Sequence, residues 1–430
     1  MAQQIQAIRG MNDVLPADIR AWQHLEACAR EVAGSYGYEE IRVPLIEHTE
    51  LFKRAIGEFT DVVEKEMYTF TDQGGESLTL RPEATAGIVR AAISNGLLRG
   101  ARHKLWCIGP MFRHERPQKG RYRQFYQLDV EAIGFVGPDV DAELISLTAR
   151  LWRTLGLSGV RLEINSLGTP DSRRAYRELL VGYFQRHESA LDADSRRRLQ
   201  GNPLRILDSK NPQMAAVIAG APLLSDHLDE PSRAHFQELC ATLEGMGIAY
   251  RVNPRLVRGL DYYSRTVFEW LTDALGAQDA VCSGGRYDGL IAQLGGEATP
   301  AVGFALGIER VVELLVQAAR VPAAVPADVY LIVNGAVAGG AMHMAEELRD
   351  ALPHRRFEFN LGGGNFKAQF RRADRSGAAL ALICGDEELG RGVVAMKPLR
   401  AETGQTECPR SELAARVEEL LLRLSSRPGG

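Results

Sequence analysis

The segment from Phe112 to Glu131 constrains the fold of this chain more than any other. An apolar run that begins at Leu105 leads directly into Arg113, and a basic loop containing Gly120 follows it. Beyond the loop, polar residues alternate with apolar or aromatic ones, as they do in a strand with two unlike faces. The pattern predicts two strands of a sheet that are joined by a basic loop, with an arginine at the turn.

The second of these strands carries a row of polar side chains on one face. Gln127, Asp129 and Glu131 share that face, because side chains two residues apart in a strand point the same way. Such a row destabilises a sheet that uses it only for packing. Arg113 is suited to a phosphate, whereas carboxylates and amides suit an amino group or an imidazole. The segment predicts a site for a nucleotide and a cationic small molecule; the alternative interpretation is a solvated hairpin on an antiparallel sheet.

Length and composition indicate a soluble protein of two or three domains, since the chain has 430 residues and ordinary apolar and charged fractions. No apolar run could span a bilayer and the N-terminus lacks a signal-peptide pattern, so we expect a cytoplasmic protein without membrane contact. Scattered cysteines and histidines predict neither disulfides nor a metal site built from a protein motif. The net charge of −4 argues against indiscriminate nucleic-acid binding, although a local basic patch could still bind a folded RNA.

The hydrophobic pattern divides the chain into two regions. Residues 1–325 show short strands flanked by helices, which predicts an α+β domain with a mainly antiparallel sheet. A strand that lies at a sheet edge or is irregular is predicted over residues 40–46, because Pro44 removes a ladder donor. Residues from about 170 to about 245 are helical and rich in arginine, and predict a helical insertion. Residues 326–430 alternate between strand and helix, which predicts a small α/β domain with a largely parallel sheet.

Several segments resemble the signature motifs of one family, the histidyl-tRNA synthetases, which belong to class II of the aminoacyl-tRNA synthetases. The hairpin is similar to motif 2 of that class, and the helix, glycine, strand and proline before Ile46 resemble motif 1. The two histidine-specific motifs and motif 3 are matched, in that order, by Leu256-Val-Arg-Gly-Leu-Asp-Tyr-Tyr263, Ser283-Gly-Gly-Arg-Tyr-Asp-Gly289 and Gly303-Phe-Ala-Leu-Gly-Ile-Glu-Arg310. The resemblance extends from about residue 5 to about residue 425.

The resemblance implies a histidine–tRNA ligase. Such an enzyme activates L-histidine with ATP and Mg²⁺ to histidyl-adenylate and pyrophosphate, and then transfers histidine to the 3′ end of tRNA(His). Motif 1 builds the dimer interface of the family, so a homodimer is expected, and residues 326–430 are expected to bind the anticodon. The alternative is a non-catalytic, histidine-sensing regulatory subunit of ATP phosphoribosyltransferase. Such paralogues typically lack the C-terminal domain.

The resemblance also assigns roles to individual residues. Three arginines are expected to contact the phosphates as catalytic groups, and Glu115 is expected to bind ATP with them: Arg113, Arg258 and Arg310. The α-ammonium of histidine is assigned to Glu83, Thr85 and Gln127, and its imidazole to Glu131 and Tyr263.

The remaining assignments concern the edges of the site. Tyr262 is a further candidate, although adjacent tyrosines on a strand face opposite sides, so we expect only one of the pair to line the pocket directly. Gly284 and Gly285 are expected to let the backbone approach the ligand. The basic loop is expected to contact tRNA through Arg116, Lys119, Arg121 and Arg123.

Overall fold

The computed structural model describes residues 4–425 except 59, 208, 210, 277, 278, 334–337 and 402. The chain divides into two compact units, one on either side of the bond between Pro322 and Ala323. Each unit has a sheet and hydrophobic clusters of its own.

The strands of the first unit are β1 (Glu39–Glu40), β2 (Ile46–His48), β3 (Tyr68–Thr71), β4 (Ser77–Leu80), β5 (His103–Phe112), β6 (Gln124–Ile133), β7 (Val160–Ser166), β8 (Arg251–Val252), β9 (Ser264–Thr272), β10 (Ala280–Arg286) and β11 (Ala301–Gly307). Among the described residues, eight of them form one sheet in the order β1-β5-β6-β11-β10-β9-β7-β8. Neighbours are antiparallel except at the two edges, where β1 pairs with β5 and β8 with β7 in parallel. The predicted mainly antiparallel sheet is confirmed.

The helices of the first unit are α1 (Ile19–Ser35), α2 (Thr49–Ile56), α3 (Thr85–Ser94), α4 (Pro138–Thr154), α5 (Pro170–Arg186), α6 (Ala193–Gln200), α7 (Ala215–Ala219), α8 (Glu230–Gly245), α9 (Leu290–Gln293) and α10 (Ile308–Gln317). Proline opens α4, α5 and α8 near the N-terminus, where its missing N–H costs no hydrogen bond. The strand predicted over residues 40–46 is wrong in part, because the chain leaves the large sheet after β1 and enters a smaller sheet, β2-β4-β3, at Ile46. Pro44 lies in the link between them, where no ladder donor is needed.

The two faces of the large sheet carry different cores. Leu128 and Val130 of β6 belong to an apolar cluster with α1, α4, α8 and α10. The opposite face carries the polar row of β6, which is Gln127, Asp129 and Glu131. A second apolar cluster, which includes α2, α3 and the helices α5 to α7, covers this face. The range predicted as a helical insertion is therefore divided between the two faces. Helix α8 packs with α1, α4 and α10, since Leu239 and Leu243 are buried in the first cluster.

The second unit contains β12 (Val329–Val333), α11 (Ala338–Ala351), β13 (Phe357–Phe359), α12 (Phe366–Arg375), β14 (Leu380–Cys384), α13 (Asp386–Gly390), β15 (Val393–Pro398), β16 (Thr406–Pro409) and α14 (Leu413–Ser425). Its sheet has the order β13-β12-β14-β15-β16. The first two pairs are parallel and the last two antiparallel, so the prediction of a largely parallel sheet is wrong for half of it. The five-residue α13 is too short for the crossover that a parallel pair needs.

Candidate functional site

A cavity of about 560 Å³ lies on the polar face of the large sheet. Its lining contains many of the predicted site residues: Glu83, Thr85, Arg113, Glu115, Arg121, Gln127, Glu131, Arg258, Tyr262, Tyr263 and Arg310. Gln127 pairs in register with Gly307, just before α10, and Glu131 pairs with Gly303. Four residues of strand separate the two pairs by about 14 Å. The cavity therefore has two ends along β6, which we call the carboxylate end, at Glu131, and the arginine end, at Arg310.

Glu131 is the centre of a hydrogen-bonded cluster at the carboxylate end. The Thr85 hydroxyl donates to its Oε1 at 2.6 Å, and the Tyr287 hydroxyl donates to its other oxygen. Tyr287 adjoins the Tyr262 ring, with ring centroids 5.6 Å apart. Glu131 is thereby held in one orientation by groups from α3 and from the second histidine-specific motif.

Glu83 stands at the N-terminus of α3, where its carboxylate accepts from two backbone amides. The amides of Thr85 and Ala86 donate at 3.0 and 2.8 Å. A carboxylate at this position is favoured by the helix dipole and satisfies the free amides of the first turn. The short sequence Arg81-Pro-Glu-Ala-Thr85 therefore fixes both Glu83 and the helix that presents Thr85.

Asp129 and Gln127 lie between the two ends with polar atoms that have no hydrogen-bond partner among the described residues. These atoms are both carboxylate oxygens of Asp129 and the side-chain oxygen of Gln127. Both side chains line the cavity. An unpaired buried acceptor is costly, so the pair is complementary to a ligand that donates hydrogen bonds.

Burial dominates the electrostatics of the carboxylate end. It raises the pKa of Asp129 to about 8, and the nearby Glu83 carboxylate adds to this shift. Burial likewise raises the pKa of Glu131 to about 8, although the Thr85 and Tyr287 hydroxyls favour its ionised form. The pKa of Glu83 is also raised by burial. Three buried acids share one pocket, and a bound cation would relieve the repulsion between them.

The prediction that only one of the adjacent tyrosines lines the cavity is wrong. Tyr262 and Tyr263 both line it and both are buried, with ring centroids 4.6 Å apart. The pair precedes β9 and lies outside any strand, so the rule that adjacent side chains point to opposite faces does not apply.

The two glycines of the second histidine-specific motif serve packing. A side chain at Gly284 would meet Phe268 and Phe304, which belong to the apolar cluster behind the sheet. One at Gly285 would meet Val267 and Tyr263. At Gly303, which lines the cavity, the Glu131 carboxylate occupies the space that a side chain would need. The approach of a ligand to the backbone at Gly284 and Gly285 stays a prediction.

The arginine end is assembled from three separate segments. The Nε of Arg113 donates to the carbonyl oxygen of Pro82 at 2.9 Å, and its guanidinium lies 5.2 Å from the centre of the Phe125 ring. The Nε of Arg310 donates to the carbonyl oxygen of Gly120 in the motif 2 loop at 3.0 Å. Burial, and then the nearby guanidinium groups of Arg121 and Arg113, lower the pKa of Arg310. Like charges are thus gathered at this end, and they would favour an anion bound between them.

Arg258 lines the cavity and is held by an acid on β9, a strand in the interior of the sheet. Its Nη1 donates to Glu269 at 2.8 Å, and the Ser283 hydroxyl donates to the same carboxylate oxygen at 3.0 Å. The Nε of Arg258 is buried without a hydrogen-bond partner among the described residues. The side chain therefore retains a donor for a ligand while Glu269 fixes its position.

The motif 2 loop keeps its basic residues mainly outside the cavity. Lys119 forms an ion pair with Glu313 at 2.7 Å, and Arg121 pairs with Glu115 and lines the cavity. Arg123 donates to the carbonyl oxygen of Glu115 at 3.2 Å. Arg116 is exposed. Glu115 therefore has a structural contact, its ion pair with Arg121, and its predicted role in binding ATP stays a prediction.

Tyr287 and Glu269 line the cavity and were not among the site residues predicted from the sequence. Tyr287 directly follows the Gly-Gly-Arg of the second histidine-specific motif, so its position was a usable signal. Glu269 is an acid inside the apolar strand β9, paired in register with Ser283. A charged residue in such a run indicates a partner, which here is Arg258.

Among the described residues, no group of three or more histidine, cysteine, aspartate or glutamate side chains is arranged to hold a metal ion. In the same part of the chain, none of the helices combines the length and apolar character that a membrane span requires.

Comparisons with known proteins find matches for both parts of the chain. Residues 10–311 match a family model described as histidyl-tRNA synthetase, and residues 328–420 match one described as an anticodon binding domain. The solved apo structure of histidyl-tRNA synthetase from S. aureus is 33% identical over 96% of this chain and 100% of that chain, with a TM-score of 0.81.

Two more distant structures share the fold. An ATP phosphoribosyltransferase regulatory subunit/histidyl-tRNA synthetase from Bacillus halodurans is 23% identical over 90% of this chain and 99% of its own, with a TM-score of 0.65. The histidyl-tRNA synthetase of Nostoc sp. is 18% identical over 97% of this chain and 100% of its own, with a TM-score of 0.67.

Proposed function

Because the chain belongs to the histidyl-tRNA synthetase family, we propose that it is an active histidine–tRNA ligase. In the first step it would join L-histidine to ATP as histidyl-adenylate and release pyrophosphate. In the second it would transfer histidine to the 3′ end of tRNA(His). The single observation that carries this proposal is the pairing, in one cavity, of a buried carboxylate end with an arginine end.

The carboxylate end is suited to histidine. Glu83, Thr85 and Gln127 would accept from the α-ammonium, while Glu131 and Tyr263 would meet the two imidazole nitrogens, one of which donates and one of which accepts in the neutral ring. Asp129 adds an unpaired acceptor beside them. A cation in this pocket lowers the pKa of the buried acids, so its binding is favoured by the carboxylates that form as these acids lose their protons.

The arginine end is suited to the triphosphate. The histidine carboxylate would attack the α-phosphorus, the bond from that phosphorus to the bridging oxygen would break, and pyrophosphate would leave. Arg113 and Arg258 would stabilise the charge on the α-phosphate, and Arg310 would hold the terminal phosphates. Positioning and charge stabilisation are the main contributions a protein makes to phosphoryl transfer.

Mg²⁺ would reach the site bound to the triphosphate. The chemistry of the donors fits this, since three acids near the arginine end already have partners: Glu269 pairs with Arg258, Glu115 pairs with Arg121, and Glu309 accepts from the backbone amide of Tyr126. The ion would neutralise phosphate charge. The residues of the chain would orient the triphosphate and keep the attacking carboxylate in line with it.

For the second step, the basic loop would contact the acceptor end of tRNA and the second unit would bind the anticodon. The loop is adjacent to the reacting phosphates through the bond between Gly120 and Arg310. We further propose a homodimer, on the resemblance to motif 1, and a cytoplasmic location, where protein synthesis occurs.

A histidine-sensing regulatory subunit is the alternative, and the likeness to the Bacillus halodurans protein keeps it open. Such a protein needs the carboxylate end but has no use for three phosphate-binding arginines or for an anticodon-binding domain. In this chain three arginines line the cavity, and residues 328–420 match a model described as an anticodon binding domain, which supports the ligase.

Charging of a tRNA(His) transcript with labelled histidine distinguishes the two. A ligase produces ATP-dependent, alkali-labile histidyl-tRNA, whereas a regulatory subunit binds histidine by calorimetry and charges nothing. Binding of histidine without charging by the folded protein would overturn the proposed function.

A further inference from the structure

The acceptors that the resemblance assigns to the α-ammonium group of histidine differ in what they are free to bind. Each carboxylate oxygen of Glu83 already accepts from a backbone amide at the N-terminus of α3, that of Thr85 at 3.0 Å or that of Ala86 at 2.8 Å. The Thr85 hydroxyl donates to Glu131 at 2.6 Å and has no charge to pair with an ammonium group. Glu83 and Thr85 therefore have partners within the protein.

Asp129 is a carboxylate of the cavity that lacks such partners. It is 1% exposed and lines the cavity, and neither of its oxygens has a hydrogen-bond partner among the described residues. The side-chain oxygen of Gln127, two residues away on the same face of β6, is unpaired within the same part of the chain. A buried acceptor without a partner lowers the stability of the folded protein. The two side chains therefore favour a ligand that brings several donors, and an ammonium group brings three.

Asp129 also lies where the proposed reaction needs the ammonium group to be. Along β6 it is midway between Glu131, at the carboxylate end, and Gln127, which pairs in register with Gly307 just before α10. The imidazole of a bound histidine would be at the carboxylate end, and its carboxylate would face the arginine end in order to reach the α-phosphorus. The carbon that bears the ammonium group joins these two parts of the molecule. The ammonium group would therefore lie between the two ends, next to Asp129.

The charges around Asp129 fit a bound cation. Burial raises the pKa of this acid to about 8, and the Glu83 carboxylate adds to the shift, whereas the guanidinium groups of Arg81 and Arg113 oppose it. Both arginines donate their Nε to backbone carbonyl oxygens at 2.9 Å. A positive group that entered the cavity beside Asp129 would therefore meet an acid with no hydrogen-bond partner among the described residues.

We propose that Asp129 binds the α-ammonium group of histidine, with the side-chain oxygen of Gln127 as a second acceptor. This narrows the set of acceptors proposed above, and it rests on the proposed function, which sets the direction of histidine in the cavity. Glu83 is then a positioning residue, because it fixes the first turn of α3 and thereby the Thr85 hydroxyl that orients Glu131. Asp129 makes the site specific for an amino acid, since a ligand without the ammonium group leaves this side chain unpaired.

The test compares histidine with imidazolepropionate, which has the imidazole and the carboxylate of histidine but no ammonium group. Both ligands are titrated by calorimetry into the full-length protein and into Asp129→Asn, which keeps the shape of the side chain and removes its charge. We expect the dissociation constant of histidine to rise about tenfold and that of imidazolepropionate to stay within about twofold of wild type. Binding of imidazolepropionate by the variant also shows that its cavity is folded.

Two further variants serve as controls. Glu131→Gln should weaken both ligands by the same factor, because both carry the imidazole that this residue is proposed to contact. Glu83→Gln should also change the two dissociation constants together, because a positioning residue does not distinguish between ligands that differ only at the ammonium group.

The proposal is overturned if Asp129→Asn weakens the two ligands equally or weakens neither. A selective loss of histidine binding in Glu83→Gln overturns the division of roles between the two acids, since Glu83 would then contact the ammonium group. Failure of the proposed function is a separate result, namely a wild-type protein that binds histidine but neither exchanges pyrophosphate nor charges tRNA. The comparison of the two ligands remains valid in that case.

Discussion

The two ends of the main cavity are built in different ways. The carboxylate end belongs to regular elements, with Glu131 on β6, Thr85 on α3 and Glu83 at its N-terminus. Its buried carboxylates accept from the Thr85 hydroxyl and from backbone amides of the first turn of α3. The arginine end is formed at the margins of strands and loops, where Arg113 and Arg310 are held by backbone carbonyl oxygens. Strands and helices fix the side chains of the carboxylate end, whereas loops and strand ends position those of the arginine end.

This difference corresponds to a difference in task. Selection of one amino acid needs a rigid set of donors and acceptors that only the right ligand satisfies, since discrimination depends on leaving polar groups unpaired when the wrong ligand binds. Stabilisation of developing phosphate charge needs cations at set positions, with donors still available. Substitutions at the two ends should therefore change different kinetic quantities.

The largest effect is expected from Arg258→Ala. Loss of one donor that stabilises transition-state charge typically costs about 10²–10³ in rate. We expect pyrophosphate exchange to fall by that factor while histidine still binds, as measured by calorimetry. Arg251→Ala is the control, because the side chain of that arginine, on β8, is 78% exposed. An Arg258→Ala enzyme with exchange within threefold of wild type would remove this residue from the arginine end.

A smaller effect, on a different quantity, is expected from Glu131→Gln. A charge-assisted hydrogen bond contributes roughly 1.5–3 kcal/mol, so the Michaelis constant for histidine should rise about tenfold or more. The constant for ATP serves as the internal control and should stay unchanged. An equal rise for both substrates would mean that Glu131 acts on the whole cavity and not on the imidazole.

Arg116→Ala should separate the first step from the second. This exposed residue of the motif 2 loop is proposed to contact tRNA, so exchange should stay near wild type while charging weakens by about 1–3 kcal/mol if a base edge is contacted. Arg153→Ala on α4, also exposed, is the matched control. Loss of exchange to the same degree as charging would assign Arg116 to the ATP site.

The smallest effect concerns protons. Asp129 and Glu131 have pKa values of about 8, above the usual carboxyl value of about 4, so both acids are largely protonated in the free protein at pH 7. Binding of the histidine α-ammonium lowers these pKa values and releases protons. Histidine affinity should therefore rise a few-fold between pH 7 and pH 8. Calorimetry at pH 7 in two buffers of different ionisation heat measures the release; no release, or uptake, would contradict it.

The same pKa values predict how stability depends on pH. A carboxyl whose pKa is raised on folding favours the folded state while it is protonated, and this advantage is lost as pH rises from about 4 to about 8. Bound histidine should offset this loss. Thermal unfolding with and without histidine across this pH range would therefore diverge toward the alkaline side.

Local patterns in the sequence predicted the parts of the site that depend on one segment. The alternation in β6 correctly placed Gln127, Asp129 and Glu131 on one face, because strand periodicity is a local property. The motif resemblance, in turn, brought Arg113, Arg258 and Arg310 together from distant segments, and all three line the cavity. Their chemical roles remain predictions.

Features that depend on pairing between segments were missed or misjudged. Glu269 is next to Ser283 only because β9 and β10 pair in that register, which no local pattern encodes. Tyr262 and Tyr263 both reach the cavity because the chain turns there instead of continuing as a strand. The antiparallel half of the C-terminal sheet depends on the short length of α13, which a strand–helix alternation does not reveal.

Histidine-dependent exchange of labelled pyrophosphate into ATP tests most directly whether the two ends of the cavity work together. It requires histidine at the carboxylate end, ATP at the arginine end and reversible formation of the bond between them. The account predicts that the label enters ATP when histidine is present and not when it is omitted or replaced by other amino acids. A folded protein that binds both histidine and ATP, yet exchanges no label, would contradict it.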